Sequence, residues 1–213
     1  MNFVPELSVL LPYVLGVIII TITPGPDMTF FLTRTIGQGV VAGISAMLGA
    51  ICGTLIHSML VAFGLSAVII ASPNLFLAIK IFGAGYLLWL AVEAIRHGSA
   101  INTTNRPMKK RGMHQIMVQG LVINLMNPKI ILFFMTFLPQ FVSPLDPYAP
   151  EKLLFLGLLF SVVAIPMTLP MIFAAGRLTG FLKRSPKVTR FVDYLFATVF
   201  GAFAVRILLT ERS

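Results

Sequence analysis

Three ionisable residues lie inside long apolar stretches of this sequence, where a charge is costly. Asp27 stands in TITPGPDMTF, Lys129 in INLMNPKIILFF and His57 in AMLGAICGTLIHSMLVAFG. An ionisable residue in such a stretch is a candidate for contacting a charged ligand or for carrying a proton. Asp27 is the first candidate of the three for both roles, because it also follows two helix-breaking prolines.

Two of these stretches carry residues that interrupt a helix. Pro24 and Pro26 remove backbone donors and clash with the preceding turn, so we expect a break near residues 23–27. Pro128 is expected to interrupt the helix of INLMNPKIILFF in the same way. A broken helix leaves backbone groups that cost several kcal/mol each in hydrocarbon unless protein, water or a ligand satisfies them. We therefore expect both breaks to line one water-accessible cavity.

The residues around the two breaks suit a zwitterionic ligand. Asp27 complements an ammonium group, whereas Asn127 and the half-helix N-termini that follow the prolines complement a carboxylate. Lys129 leaves three alternatives open: an ion pair with Asp27, contact with a ligand carboxylate, or extension of its flexible stem into a watery vestibule. The predicted binding residues are Thr23, Pro24, Gly25, Pro26, Asp27, Asn124, Asn127, Pro128 and Lys129.

His57 belongs to a helical face that also carries two glycines. Gly49, Gly53 and His57 are spaced four residues apart, which places them in one row where glycine allows close approach of a second helix. We favour a packed His57 bonded to a neighbouring carbonyl; the alternative is a second proton carrier beside Asp27. The glycines permit contact within the chain or between two copies, so a homo-oligomer is an open alternative.

The composition indicates a protein dissolved in a lipid bilayer. Of 213 residues, 57% are hydrophobic and 11% are charged, and the mean hydropathy is +0.94. A soluble domain of this length could not bury so much apolar surface. The formal charge of +9 therefore favours anionic lipid headgroups, and we expect no nucleic-acid partner. A single cysteine, Cys52, excludes a disulfide within the chain, and the first apolar run lacks the basic start of a signal peptide.

Six apolar runs are long enough to cross the membrane as helices. They lie near residues 8–32, 40–70, 75–95, 116–141, 152–176 and 191–209. Basic residues concentrate in three of the connections, which are therefore predicted to face the cytoplasm, with both termini outside. These residues are Arg34; Arg96, Arg106, Lys109, Lys110 and Arg111; and Arg177, Lys183, Arg184, Lys187 and Arg190.

A polar linker divides the chain into two similar halves. The linker occupies residues 101–115 and includes NTTNRPMKKRG. It separates residues 1–100 from residues 116–213, each with three predicted spans, within a single all-α membrane domain of residues 1–213. Because three is odd, the second half enters the membrane from the opposite side, as in an inverted repeat. The two breaks occupy corresponding spans, and paired interruptions of this kind are typical of a transport site.

Three motifs together resemble the LysE/RhtB family of amino-acid exporters. They are TPGPD in the first span, GAGYLLWLA at 83–91 and NPKIILFFMTFLPQFV at 127–142. The likeness extends over nearly the whole chain in length, number of spans and motif order. It matches residues 24–27 and 127–129 of this sequence to the signatures of the first and fourth spans.

The resemblance implies a secondary transporter of the bacterial inner membrane that needs no cofactor. Such a transporter expels amino acids with an ion gradient, here expected to be the proton gradient, and its termini would be periplasmic. The chain is closer to the RhtB-type branch, which exports neutral amino acids such as homoserine, threonine and leucine. No second carboxylate adjoins Asp27 to receive a cationic side chain.

Two other classes of function fit the sequence less well. A metal or inorganic ion exporter of a related six-span family would use several converging carboxylates, thiols or imidazoles, whereas only Asp27 and His57 lie well inside the spans. A membrane enzyme would need a nucleophile and base or a metal-ligand motif. No HExxH, GxSxG or paired cysteine is present, and no P-loop supports an ATP-driven pump.

Overall fold

The computed structural model describes residues 4–65, 110–143, 146–177, 181 and 185–210, with positions 78, 81, 82, 84, 85, 88, 89, 91, 92, 95 and 96. The regular elements of this part of the chain are helices, which confirms the all-α prediction for it. They are α1 (Leu7–Ile22), α2 (Pro26–Gln38), α3 (Val40–Met59, continued by a π-helix over Leu60–Leu65), α4 (Met113–Leu125), α5 (Pro128–Leu132, continued by a π-helix over Phe133–Phe137 and a 3-10 helix over Leu138–Phe141), α6 (Ala149–Phe173) and α7 (Pro186–Thr210).

Both predicted helix breaks are present. The chain bends by 50° between α1 and α2 and by 52° between α4 and α5. Pro26 and Pro128 each stand in the first turn of the helix after the break, where a missing N–H removes no intrahelical hydrogen bond. The prolines therefore end one helix and start the next.

Two described helices and two bent helix pairs coincide in position with four of the six predicted spans. Among the described residues, Val40–Gly64 and Ala149–Phe173 are each long and apolar enough to cross a membrane, and the two bent pairs raise the number to four if each pair is one span. The helix α7 coincides with the predicted sixth span, but its crossing stays a prediction. Most of the third span and most of the linker lie outside the described residues, so the six-span count and the inverted repeat also stay predictions.

A polar layer lies between two apolar clusters. The first cluster is rich in aromatic residues, with Tyr13, Phe133, Phe134, Phe137, Phe160 and Phe200 among its members. The second contains Met28, Phe31, Leu32, Ala42, Ala46, Met47, Ile116, Ile172 and Ala175. Along the chain the two clusters are separated in α3 by Thr54 and His57, at the second break by Asn124 and Asn127, and in α6 by Thr168, all of them buried. The fold thus keeps polar groups at one level of an otherwise apolar bundle.

The first cluster is held across the bundle by a hydrogen bond as well as by packing. The Tyr13 hydroxyl donates to the Leu156 carbonyl at 2.7 Å, joining α1 to α6. The Tyr13 ring also lies 5.9 Å from Phe133 and 5.4 Å from Phe141, measured between centroids. All three phenylalanines of ILFFMTF, Phe133, Phe134 and Phe137, are buried in this cluster and are therefore packing residues.

Glycines bring α3 and α4 into backbone contact. A Cβ added at Gly49 would lie 1.9 Å from the Met117 carbonyl oxygen, and one added at Gly120 would lie 2.3 Å from the Ala46 carbonyl oxygen. The glycine face that the sequence indicated is therefore used within the chain. His57 lies in the same interface and is 8% exposed.

Replacing Gly49 with alanine should destabilise the protein without touching the cavity. The added methyl group forces α3 and α4 apart, and overpacking of this kind lowers the free energy of unfolding by ~1–3 kcal/mol. Thermal unfolding of the purified protein in detergent measures the effect. Gly64→Ala is the matched control, since none of the described residues lies within 4 Å of a Cβ there; equal stability of the two variants would contradict the packing assignment.

Candidate functional site

A cavity opens where the two broken helices meet α3 and α6. It offers about 70 Å³ to the centres of water-sized molecules, and since one water needs roughly 10–15 Å³ on this measure, several would fit. Its polar wall includes Thr21, Asp27, Thr54, Asn124, Lys129 and Thr168, and its apolar wall includes Ile20, Met28, Phe31, Met47, Ile51, Phe160 and Ile165. The expectation that both breaks line one cavity is confirmed.

Asp27 and Asn124 form the polar centre of this cavity. The Asn124 side-chain amide donates to Asp27 Oδ2 at 2.8 Å, which joins α2 to α4. Asp27 Oδ1 and Asn124 Oδ1 are both buried and have no hydrogen-bond partner among the described residues. Buried oxygens without donors are unfavourable. A cationic donor entering the cavity would satisfy them.

Lys129 caps the broken end of α1. Its ammonium group donates to the carbonyl oxygens of Ile20 at 2.9 Å and Thr23 at 2.7 Å. In an unbroken helix the Ile20 carbonyl would accept from residue 24, which is a proline with no N–H. Lys129 therefore supplies the donor that Pro24 lacks, and its positive charge also complements the helix C-terminus. This partner differs from the three alternatives that the sequence left open for Lys129, which were Asp27, a ligand and water.

At the second break, Asn127 accepts hydrogen bonds from the N–H groups at the start of α5. Asn127 Oδ1 accepts from the Lys129 backbone N–H at 3.1 Å, and the Asn127 carbonyl accepts from Ile130 and Ile131 at 3.0 Å each. The expectation that the N-terminus of α5 is free to receive a carboxylate is therefore wrong, because these groups already have partners. The Asn127 side-chain nitrogen remains buried without a partner in the part of the chain that is described.

The remaining predicted residues of the first break shape the backbone. The Thr23 hydroxyl donates to the Ile19 carbonyl at 2.7 Å, and Pro24 is buried between α1 and α2. Gly25 precedes α2, and a Cβ there would lie 3.0 Å from Lys129 Nζ. The absence of a side chain at Gly25 therefore leaves room for the lysine that crosses from the other half.

His57 lies beside the cavity centre and does not line the cavity. Its ring stacks on Phe134 with centroids 5.6 Å apart, and it is close enough to Asn124 and Asp27 to interact with both. His57 Nε2 is buried and has no partner among the described residues. Gly53, one turn earlier, makes room for Asn124, since a Cβ at Gly53 would lie 2.5 Å from Asn124 Oδ1.

The prediction that Arg34 lies in a solvated loop between the first two spans is wrong. Arg34 lies within α2 and is only 6% exposed. Its guanidinium donates to Gln38 at 2.9 Å and Gln119 at 3.0 Å. The positive-inside pattern treats every basic residue near a span end alike, so it gave no signal that this arginine is buried. The rest of α2 after residue 32, TRTIGQ, has one apolar side chain, Ile36, which is exposed, so the local pattern gave no signal either.

The described residues contain no group of three or more His, Cys, Asp or Glu side chains placed to hold a metal ion. Asp27 and Asn124 offer oxygen atoms and His57 offers a nitrogen, but these do not form the convergent set of several ligands that a dedicated metal site uses. The arrangement instead suits hydrogen bonding to an organic ligand with one charged end.

Comparison with protein families matches residues 18–211 to the family described as LysE type translocator. An uncharacterised membrane protein of Pseudomonas aeruginosa is 30% identical over 205 residues, covering 94% of this chain and 95% of its own length. A leucine efflux protein of Enterobacter sp. strain 638 is 30% identical over 203 residues, covering 92% of each chain. The leucine efflux protein of Salmonella typhimurium is 28% identical over 200 residues, with 92% of each chain covered. No solved structure matches significantly.

Lys129→Met should destabilise the fold. The substitution leaves the Ile20 and Thr23 carbonyls without donors in an apolar setting, and losing hydrogen bonds to a charged group lowers the free energy of unfolding by ~2–4 kcal/mol. The midpoint of thermal unfolding measures this loss. Lys110→Met, at an exposed position, is the control. If both variants unfold with the parent, Lys129 does not stabilise the break.

Proposed function

The chain belongs to the LysE family of translocators, and on this premise we propose that it is a secondary exporter of neutral amino acids. The main support for this proposal is a pair of buried acceptors, Asp27 Oδ1 and Asn124 Oδ1. They have no hydrogen-bond partner among the described residues, and both side chains belong to the polar wall of the cavity. An α-ammonium group donates three hydrogen bonds and carries the charge that Asp27 complements. Asp27 is therefore the ammonium-binding residue of this mechanism.

The carboxylate end of the substrate is assigned to Lys129. Two of its three donors serve the broken end of α1, which leaves one N–H for a ligand in the cavity that Lys129 also lines. Asp27 and Lys129 have opposite charges, so the site is complementary to a zwitterion with no net charge. The buried amide nitrogen of Asn127 provides a further donor near the break.

The apolar wall accommodates an aliphatic side chain. Met28, Met47, Ile51 and Phe160 border the cavity, and burying apolar surface against them favours leucine-like substrates by about 25 cal/mol per Å². The names of the Enterobacter and Salmonella relatives support the same substrate class. Homoserine and threonine are smaller members of the neutral class that the cavity would also admit.

The proposed mechanism uses alternating access across the bacterial inner membrane. The substrate enters from the cytoplasmic side, binds at the level of the breaks and leaves after the two halves rock about the site. Both termini lie in the periplasm in this arrangement. The breaks support it, because they put backbone bends of 50° and 52° at the same level of the bundle.

We assign proton coupling to Asp27 together with His57. Protonation of Asp27 removes the charge that holds the substrate ammonium, so substrate and proton compete for one carboxylate. His57 interacts electrostatically with Asp27, and its buried Nε2, which has no partner among the residues that the structure describes, can accept a proton. An exchange of inward proton for outward substrate follows from this competition.

Asp27→Asn should strongly reduce export. The substitution keeps the size of the side chain but removes the charge, and loss of a charged hydrogen-bond partner predicts a decrease of about 10- to 100-fold in transport rate. The assay follows labelled leucine, threonine and homoserine in vesicles containing the purified protein. The control is Asp146→Asn, which removes a carboxylate outside the helices that pairs with Lys152. Full transport by the Asp27 variant, or flux of divalent metal without amino-acid flux, would contradict the proposal.

His57→Gln should uncouple transport from the proton gradient. Glutamine retains hydrogen bonding but does not titrate near neutral pH, so leucine–leucine exchange at equal pH on both sides should stay within about twofold of the parent rate. Leucine movement driven by a pH difference should decrease at least about fivefold. Gradient-driven movement equal to that of the parent would instead show that His57 only packs against Phe134.

A further inference from the structure

The interface between α2 and α4 contains a row of polar contacts that extends beyond the cavity. We call it the α2–α4 seam; its contacts are Asp27 with Asn124, Arg34 with Gln119, and Gln38 with the Arg111 backbone. Asp27, Arg34 and Gln38 are spaced seven and four residues apart, so they share one face of α2. The seam therefore connects the cavity with the far end of α2, next to the helix terminus at Gln38.

Arg34 is the charged member of the seam, and its partners are neutral. It is 6% exposed, and it donates only to the side-chain oxygens of Gln38 and Gln119. Arg34 Nε is buried with no hydrogen-bond partner among the described residues. The charge of Arg111, which is also positive, acts on Arg34. No carboxylate in the described part of the chain forms an ion pair with Arg34.

A buried guanidinium without an anion is unfavourable, and this one has unused binding capacity. A guanidinium carries five N–H donors, of which two are engaged here. The planar fork of donors fits a carboxylate with two parallel hydrogen bonds, which are stronger than bonds to neutral amides. A carboxylate reaching Arg34 would therefore displace Gln38 and Gln119 and supply the missing countercharge.

The position of Arg34 relative to the cavity indicates which carboxylate this is. Phe31 lines the cavity, and Arg34 lies one helical turn beyond it. Asp27 and Arg34 are about 10 Å apart along the axis of α2, since a helix rises about 1.5 Å per residue. A small amino acid is too short to occupy both groups fully, so it would bind them in succession.

We propose that Arg34 forms a second, transient binding position for the carboxylate of the transported amino acid, in the seam between the cavity and the contact of Gln38 with Arg111. The substrate binds first by its carboxylate to Arg34, in exchange for the two glutamine amides, and then passes to Asp27 and Lys129. This inference rests on the proposed export function. It adds a recognition step that the main cavity alone does not contain.

The test compares Arg34→Gln and Arg34→Lys with the parent in vesicles of phosphatidylcholine. The apparent KM for labelled leucine should increase about tenfold in Arg34→Gln and by less in Arg34→Lys, because lysine retains the charge without the fork. Leucine binding at equilibrium, measured with detergent-solubilised protein, should change less than about twofold, since the main site is intact. Leucinamide lacks the carboxylate that Lys129 and Arg34 would bind, so the parent should transport it more weakly than leucine, and its KM should be the same in Arg34→Gln as in the parent.

Several results would overturn the assignment. An unchanged leucine KM in a folded Arg34→Gln protein would do so, and so would an equal loss for leucine and leucinamide, which would indicate a purely structural role. An effect that appears only when phosphatidylglycerol is added would assign Arg34 to a lipid phosphate instead. Absence of leucine flux in the parent would overturn the proposed function as well. Leucine flux in the parent, together with an unchanged leucine KM in Arg34→Gln, would overturn this inference alone.

Discussion

The structure depends on how a broken helix is satisfied inside an apolar bundle. Pro24 offers no N–H to the Ile20 carbonyl, and the ammonium group of Lys129 donates to that carbonyl from the other half of the chain. In hydrocarbon an unsatisfied carbonyl would cost several kcal/mol, so the first break is stable only while the second break is packed against it. Because Gly25 has no side chain, the Lys129 side chain has room to reach that carbonyl. The two interruptions are therefore one structural unit, although about 100 residues separate them in sequence.

This unit also explains why the cavity is polar at one level only. The aromatic cluster around Phe133 and the cluster around Met28 lie on either side of the breaks, and each is closely packed. The glycines at 49, 53 and 120 bring α3 against α4 so that Asn124 can reach Asp27. An apolar bundle with one polar level confines charged ligands to that level. A family of translocators requires such a level if its ligands are charged at one end and apolar at the other.

The sequence predicted much of this architecture, and its errors have identifiable causes. Proline chemistry acts within a few residues, so the breaks at 23–27 and at Pro128 were located correctly. Glycine spacing is also local, and it correctly predicted the face of α3 that packs. Two assignments were wrong, for different reasons. The N–H groups at the N-terminus of α5 are engaged locally by Asn127, which immediately precedes the helix. Arg34 is buried against Gln119 of α4, a partner distant in sequence, although charge counting treats it as a loop residue.

By itself, the sequence determined that the protein is helical, that it belongs in a bilayer, that two of its helices are interrupted and that Asp27 lies at one interruption. These properties follow from composition and from short-range backbone chemistry, which do not depend on which helices are adjacent in the fold. Only the tertiary structure decided that Lys129 donates to Ile20 and Thr23, and that Arg34 donates to two glutamines. It also decided that Asn124 engages one oxygen of Asp27, while the other has no hydrogen-bond partner in the described part of the chain. These outcomes depend on which helices are adjacent in space and at which height, because hydrogen bonds act over about 3 Å and no local pattern encodes that distance.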